Sequence, residues 1–443
     1  MEIPTRVRGT QDIFGEDQRY FTFLKKVARH EFRTNGFTRI ITPVLESKEL
    51  IVRSSGASSD IVSKEMYEVI DKKGRELVMR PEGTAGVMRA YLNGMLDETQ
   101  PAYLYYIESF FRYDRPQKGR FRQFHQIGSE IIGEEDPILD AKSIQIMKNI
   151  MDNIGLAGKY TIKLNSLGTP KEREKYLIEL ESFFENKKHM LDETDLARLE
   201  SNPLRILDSK NPEVKELLKV APKMTDFLQK KSKKFYEDVK MYLDIMGVEY
   251  EEDHTLVRGL DYYCHSVWEF VDNSQRTQDA FGGGGRYNGL SQAIGYKKEI
   301  PGVGFALGVE RLISAMQENN IKIKNKDALH LYIVQLGDEA KKLALPLNLE
   351  ARKQGLNSLL SLGTPSMGVQ LKKANKLGAR FVIIIGIMEA RKGVCQLKDM
   401  DEGTQIEMNL DEVIPHILSH IDKDMLSFYH PSKDWIIEEN NDK

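Results

Sequence analysis

Three stretches of this sequence concentrate ionisable and aromatic side chains. MRPEGTAG, residues 79–86, sets Arg80, Glu82 and Thr84 around a turn. FFRYDRPQKGRFRQFHQIGSE, residues 110–130, interleaves Arg112, Arg115, Lys118, Arg120 and Arg122 with Phe111, Phe121 and Phe124. Guanidinium groups suit phosphate oxygens and rings suit a base, so the pattern points to a nucleotide. A solvated hairpin tip with ordinary strand aromatics has the same local signature. Just beyond it Gln126, Gly128 and Glu130 recur at period two and share a strand face. The third stretch, AFGGGGRYNGL at 280–290, holds four consecutive glycines. Each costs roughly 0.5–1 kcal/mol of backbone entropy relative to alanine inside an element. The run therefore marks either a turn or bare backbone lying against a ligand. It is not a phosphate loop, because Arg286 and Tyr287 follow where Lys and Ser or Thr belong, and the G-x-G-x-x-G spacing is absent.

These groups need a scaffold. Residues 17–35 place Tyr20, Phe23, Leu24, Val27, Ala28 and Phe32 at helical spacing, and Gly36 ends the pattern. Strands are expected in FTRIITPVLE (ended by Pro43), ELVMRPEG, AYLYYIESFFRYD, RFRQFHQIGSEIIG and TIKLNSLG. The middle three, the last two of them aromatic-rich, are separated by charged loops, as in an antiparallel sheet. Residues 170–247 turn Lys- and Glu-rich and read as a helical insertion. Strand texture returns in VEYEED, TLVRGLDYYCHSVWEFV and the glycine run. After a linker near 320–328, strands and helices alternate, the pattern of a compact α/β domain over 326–421. Pro346 argues against the first helix there. Residues 422–443 read as a polar tail.

Bulk properties set limits. At 443 residues the chain can build two or three cores. Charged residues at 30% and hydrophobic ones at 40% are ordinary for a globular protein, and a net charge of −3 neither favours nor excludes nucleic acid. Two cysteines exclude a disulfide framework and a cysteine-rich zinc site. MEIPTRVRGTQD lacks the apolar segment of a secretory signal, and FVIIIGIM is too short for a membrane span. A soluble cytoplasmic protein is the expectation.

The order of the motifs resembles class II aminoacyl-tRNA synthetases. GFTRIITPVLE is similar to motif 1 of that class, FFRYDRPQKGRFRQFHQ to motif 2 and GVGFALGVERL to motif 3. LVRGLDYY at 256–263 and AFGGGGRYNGL resemble the two signatures peculiar to the histidyl-tRNA synthetase family, over essentially residues 1–421. The implied fold is an α+β catalytic domain, an antiparallel sheet flanked by helices, in two parts. Residues 1–169 carry motifs 1 and 2, and 248–325 carry the histidine signatures and motif 3. The insertion at 170–247 and an α/β anticodon-binding domain at 326–421 complete it.

The resemblance also implies roles. Histidine, ATP with bound Mg²⁺, and tRNA(His) are the implied ligands, with a homodimer built on motif 1, no membrane and no structural zinc. Arg112 and Arg258 would be catalytic. Arg258 approaches the α-phosphate from the side where related synthetases hold an extra metal ion, so no protein-bound metal is expected. Arg112, Arg120, Phe124, Glu310 and Arg311 would bind ATP, with Phe124 on adenine and Arg311 on the γ-phosphate. Histidine would meet Glu82, Thr84, Gln126, Glu130, Tyr262, Tyr263, Gly283, Gly284 and Tyr287. Glu130 and Tyr263 would read the imidazole, Tyr287 would close one side, and the glycines would floor the pocket. Arg115 and Gln117 would meet the tRNA acceptor end. The departures at Ser366–Gly368 and Gly386–Ala390 bear on the anticodon contacts. A regulatory relative lacking the anticodon domain, or a kinase-linked sensor, fits less well, since the signatures and that domain are present and no H-R-D-L-x-x-x-N pattern is.

Overall fold

Two ten-residue strands, Ala102–Phe111 and Gln123–Ile132, pair antiparallel along their whole length and seed the larger sheet. Next to the second lies Gly302–Gly308, then the glycine strand Ala280–Arg286, then Cys264–Asp272 and Tyr160–Ser166. Short parallel strands, Thr38–Arg39 and Glu251–Glu252, close the two edges of this eight-stranded sheet. The structure is a computed structural model and describes residues 3–56, 59–94, 101–115, 119–274, 280–363 and 366–427.

One face of the sheet is covered by helices. Gly15–Thr34, Ile138–Met151 and Val309–Glu318 bury Leu24, Phe32, Ile144, Met147, Leu312 and Met316 in one core with Trp268 and Phe305 of the sheet. Each such side chain contributes about 1.5–3 kcal/mol by leaving water. The first helix follows the expected spacing, with Gly36 at φ 81 just past its end. The other face carries a second core, where Val87, Met88 and Tyr91 of the helix Thr84–Gly94 pack on Leu104 and Ile132, and leaves part of its surface for a site.

Several elements differ from expectation. FTRIITPVLE is not one strand: it splits into Thr38–Arg39 and Leu45–Ser47 around Pro43, which has no N–H to give a ladder. The second piece belongs to a separate three-stranded sheet with Glu76–Met79 and Tyr67–Ile70. Residues 255–263 form a loop, and the strand starts only at Cys264. The segment 170–247 divides between two cores. Tyr176, Leu180, Phe184, Ile206, Val214 and Met224 make a cluster of their own. The last helix, Lys230–Ile245, instead sends Phe235, Tyr236, Val239 and Leu243 into the main core. The basic run KKSKK, residues 230–234, opens that helix, with Ser232 buried on Glu172.

The chain divides into two units, Met1–Ile323 and Lys324–Lys443. The second has a five-stranded sheet in which Ser358–Leu360, Leu331–Gln335 and Phe381–Ile385 run parallel and Val394–Asp399 and Gln405–Asn409 run antiparallel. Its first helix, Asp338–Lys353, continues through Pro346. Buried Ala340, Ala344 and Ala351 hold the helix on the core despite the lost hydrogen bond. Residues 425–427 are not part of a free tail, because Met425 and Leu426 pack on this core and the Ser427 amide donates to the Gly355 carbonyl at 2.8 Å. No helix of the described residues is long and apolar enough to cross a membrane.

Candidate active site

A cavity of about 390 Å³ opens over the free face of the large sheet. Its floor is one cross-strand row. The register places Tyr106 opposite Gly128, Gly128 opposite Ala306, Ala306 opposite Gly283, and Gly283 opposite Glu269. Three small residues in the middle of five strands leave a depression walled by a tyrosine and a glutamate. The neighbouring row, Glu130, Gly304 and Gly285, continues it. The glycine run is therefore neither a turn nor a loop but a strand at the centre of the sheet.

Alternate glycines of that strand face opposite ways. A Cβ at Gly283 would lie 2.7 Å from Arg258 Nη1, on the cavity side. At Gly284 it would lie 2.7 Å from Cζ2 of fully buried Trp268 and 2.8 Å from the Phe305 Cβ. Gly284 thus does not floor the cavity; its missing side chain serves the core. The register, Gly283 opposite Glu269 and Ala306 and Gly284 opposite Trp268 and Phe305, sets this parity. Gly284→Val is accordingly expected to destabilise the fold by about 1–3 kcal/mol or more through overpacking. A melting temperature equal to that of the unaltered protein in calorimetry contradicts this.

Behind the floor sits Glu130, 1% exposed. Its Oε1 accepts from Thr84 Oγ1 at 2.8 Å, its Oε2 from the Tyr287 hydroxyl at 2.5 Å, and Tyr106 supplies a third hydroxyl. Burial pushes the Glu130 carboxyl up to about 8 against the pull of these donors, and the Glu82 carboxylate adds to the rise. Tyr287 stands behind Glu130, its ring filling the space a side chain at Gly302 would need. It therefore buttresses the carboxylate and does not form a wall of the cavity. Tyr106 is held as tightly, since a Cβ at Gly83 or Gly128 would come within 2.4 Å of its ring.

Glu82 caps the helix Thr84–Gly94, accepting from the Thr84 amide at 2.6 Å and the Ala85 amide at 2.8 Å. Desolvation raises its pKa against those bonds. Two carboxylate oxygens offer about four lone-pair sites, so acceptor capacity remains for a cation in the cavity. Tyr262 and Tyr263 line the same wall, their rings 4.6 Å apart. The Gln126 Oε1 is buried with no partner in the described structure, a polar atom waiting for a donor.

Four arginines line the cavity: Arg112, Arg120, Arg258 and Arg311. Arg112 Nε donates to the Pro81 carbonyl at 2.9 Å, and its guanidinium lies 5.4 Å from the centre of the Phe124 ring. Arg311 Nη1 donates to the Ala280 carbonyl at 2.5 Å, and Arg120 pairs with Asp114 at 3.3 Å. Glu310 is occupied differently from expectation: both its oxygens accept from the His125 amide, and Oε1 lies 2.7 Å from His125 Nδ1. It locks the motif 3 helix to the motif 2 strand.

A cavity lined by four guanidinium groups, with a hydroxyl-bound carboxylate directly behind it, has the chemistry to suit a polyanion together with a small ligand that donates hydrogen bonds. The family model described as histidyl-tRNA synthetase matches residues 9–312, and one described as an anticodon binding domain matches residues 330–420. The chain belongs to the histidyl-tRNA synthetase family. It is 42% identical to a histidine–tRNA ligase of Halothermothrix orenii over 92% of this chain and 97% of that one. The corresponding ligase of Thermotoga petrophila is 41% identical over 95% and 99%. Among solved structures, the apo histidyl-tRNA synthetase of S. aureus superposes with a TM-score of 0.76 at 34% identity, covering 94% of this chain and all of that one.

In this histidyl-tRNA synthetase family member the expected residues separate into three groups. Glu82, Thr84, Gln126, Tyr262, Tyr263, Gly283, Phe124, Glu310 and the four arginines line the cavity. Glu130 and Tyr287 lie directly behind it, and Gly284 faces away. Arg115 is exposed, outside the cavity lining, and Gln117 lies outside the described residues. Arg80 is buried as a clamp, donating to the Thr42 and Ser109 carbonyls. The sequence reading missed Tyr106, Glu65 and Glu269 in the lining. Glu269 had a usable signal: SVWEFV and the glycine run are adjacent strands in the sequence, and pairing them sets Glu269 beside Gly283. Tyr106 and Glu65 had none.

Proposed function

We propose that the protein is a histidine–tRNA ligase. The histidine carboxylate attacks the α-phosphorus of ATP, the bond to the pyrophosphate oxygen breaks, and histidyl-adenylate forms. The histidyl group then passes to the 3′ end of tRNA(His), releasing AMP. The observation that carries this reading is a cavity in which four arginines share the lining with the Glu82 carboxylate, with Glu130 directly behind. Both reactants are anions, so the site must supply positive charge and orientation more than a base.

On this reading Arg112 and Arg258 bracket the reacting carboxylate and α-phosphate, Arg311 takes the γ-phosphate, Arg120 supports the phosphates, and Phe124 stacks on adenine. Glu82, Thr84 and Gln126 hold the amino acid's ammonium and carboxylate. Glu130 and Tyr263 take the imidazole, and Tyr262, Tyr287 and Gly283 shape and support the pocket. Arg115 and Gln117 serve the acceptor end of the tRNA, and the 330–420 domain its anticodon. Mg²⁺ arrives on the ATP phosphates; such an ion keeps phosphate and water ligands and needs no protein cage. Bound with ATP, it would supply charge neutralisation at the outer phosphates, and Glu65 and Asp60 are carboxylates of the same cavity lining. A cytoplasmic setting, where tRNA is charged, goes with this activity.

The reading extends to a homodimer. Ile41, Val44, Leu45 and Ile70 are exposed in and beside the motif 1 sheet, Ile41 at 67% and Ile70 at 73%. Apolar groups gathered there suit a second copy of the chain. Ile41→Asp is expected to shift the protein from dimer to monomer in sedimentation velocity at micromolar concentration; an unchanged sedimentation coefficient removes Ile41 from the interface.

The deciding assay is amino-acid-dependent ATP–pyrophosphate exchange, followed by charging of a tRNA(His) transcript. Exchange with histidine alone among the amino acids is expected. Exchange with another amino acid, or none from folded protein, overturns the proposal.

A further inference from the structure

Arg258 is the one arginine of the cavity lining that sits in the irregular segment between Glu252 and Cys264. A loop backbone does little to fix a long side chain, and a guanidinium with several free torsions costs up to about 2 kcal/mol of entropy to immobilise. Something else must hold it. Its Nη1 donates to Glu269 Oε1 at 2.6 Å, and its Nε is buried without a partner in the described structure.

Glu269 comes from Cys264–Asp272, a strand paired on both sides and so among the stiffest parts of the molecule. Directly opposite it in the register is Gly283. A Cβ at Gly283 would meet the Trp268 carbonyl oxygen at 2.4 Å and the Arg258 guanidinium at 2.7 Å from Nη1 and 3.0 Å from Cζ. One member of this cross-strand pair therefore grips the guanidinium while the other leaves the room it occupies. Resting on the proposed ligase function, we infer that Glu269 and Gly283 form a seat for Arg258, with Glu269 a positioning residue for adenylate formation. The bare backbone at Gly283 then serves the arginine as much as the amino-acid substrate.

The alternative consequence of the same ion pair is a tether that keeps Arg258 off the phosphate. The two differ in sign. A seat predicts that Glu269→Gln lowers the turnover of histidine-dependent pyrophosphate exchange about 10-fold or more, with the KM for histidine within about twofold. A tether predicts a faster enzyme.

The experiment compares Glu269→Gln, Arg258→Ala and the double variant with the unaltered full-length dimer, alongside melting temperatures. The seat requires the double variant to be no slower than Arg258→Ala alone, because Glu269 acts only through Arg258. Additive losses, an unchanged turnover or a faster enzyme each overturn it, as does a fall in turnover matched by a raised histidine KM. A crystal structure of Glu269→Gln supplies a readout that does not need activity: a guanidinium displaced from Gly283 supports the seat, and one still in place overturns it. Absence of exchange in the unaltered protein is a separate result, which ends the ligase reading itself.

Discussion

Substituting Arg258 with alanine lowers the rate of histidyl-adenylate formation by about 10²–10³ at saturating histidine and ATP, the cost of removing one preorganised donor from a developing anion. Carboxylate and triphosphate repel, and charge grows on the phosphate oxygens as the bond to pyrophosphate stretches. A fixed guanidinium meets that charge without reorganising. Stability barely changes, because the partner left behind, Glu269, has 30% of its side-chain surface exposed and water can solvate it. Arg258→Lys restores the charge but not the planar fork, so it recovers only part of the rate. Rapid-quench measurement of pyrophosphate release in a single turnover tests this; an alanine variant as fast as the parent takes Arg258 out of the chemistry.

Glu130→Gln has two opposed effects. The KM for histidine rises about 10²-fold or more, since a buried acceptor that reads a ring N–H discriminates far more strongly than shape alone. Without histidine the same change relieves the fold. The Glu130 pKa is raised from 4.5 to about 8 by burial, so the folded state holds a proton that the unfolded chain releases. Its contribution to stability is fully present below about pH 4.5 and is lost as pH rises towards 8, at up to about 1.4 kcal/mol per pH unit. The amide does not titrate, so the variant's stability declines less between pH 5 and pH 8. Melting curves across that range decide it: parallel pH dependence of parent and variant contradicts the protonated buried carboxyl, and an unchanged histidine KM contradicts the recognition role.

Much of this site could be read along the chain. The arginines of 112–122, the period-two face of Gln126, Gly128 and Glu130, and the order of the motifs are local patterns, and periodicity carries local patterns well. What stayed hidden depends on register between strands. Tyr106 and Gly128 meet only when two ten-residue strands align, and nothing in AYLYYIESFF distinguishes Tyr106 from its neighbours. The orientation of Gly284 depends on its register with Trp268 and Phe305 on the two neighbouring strands. The helix Lys230–Ile245 reads like the rest of the insertion, and only tertiary burial of Phe235 and Val239 assigns it to the main core. Pro346 shows the same override, with packing sustaining a helix that propensity argues against.

The strand order has a consequence for synthesis. Gln123–Ile132 is translated early, yet one of its edges pairs with Gly302–Gly308, which leaves the ribosome only after the insertion and the glycine strand. Until then the nascent sheet carries an open edge at its centre, with Ile127 and Ile131 lacking the Phe305 and Leu307 they finally pack beside. Closing that edge and completing the four-arginine cavity are the same event, because Gly302–Gly308 runs straight into the helix bearing Arg311. A polysome-bound fragment that stops short of this strand therefore exposes the unpaired edge of Gln123–Ile132 and lacks Arg311.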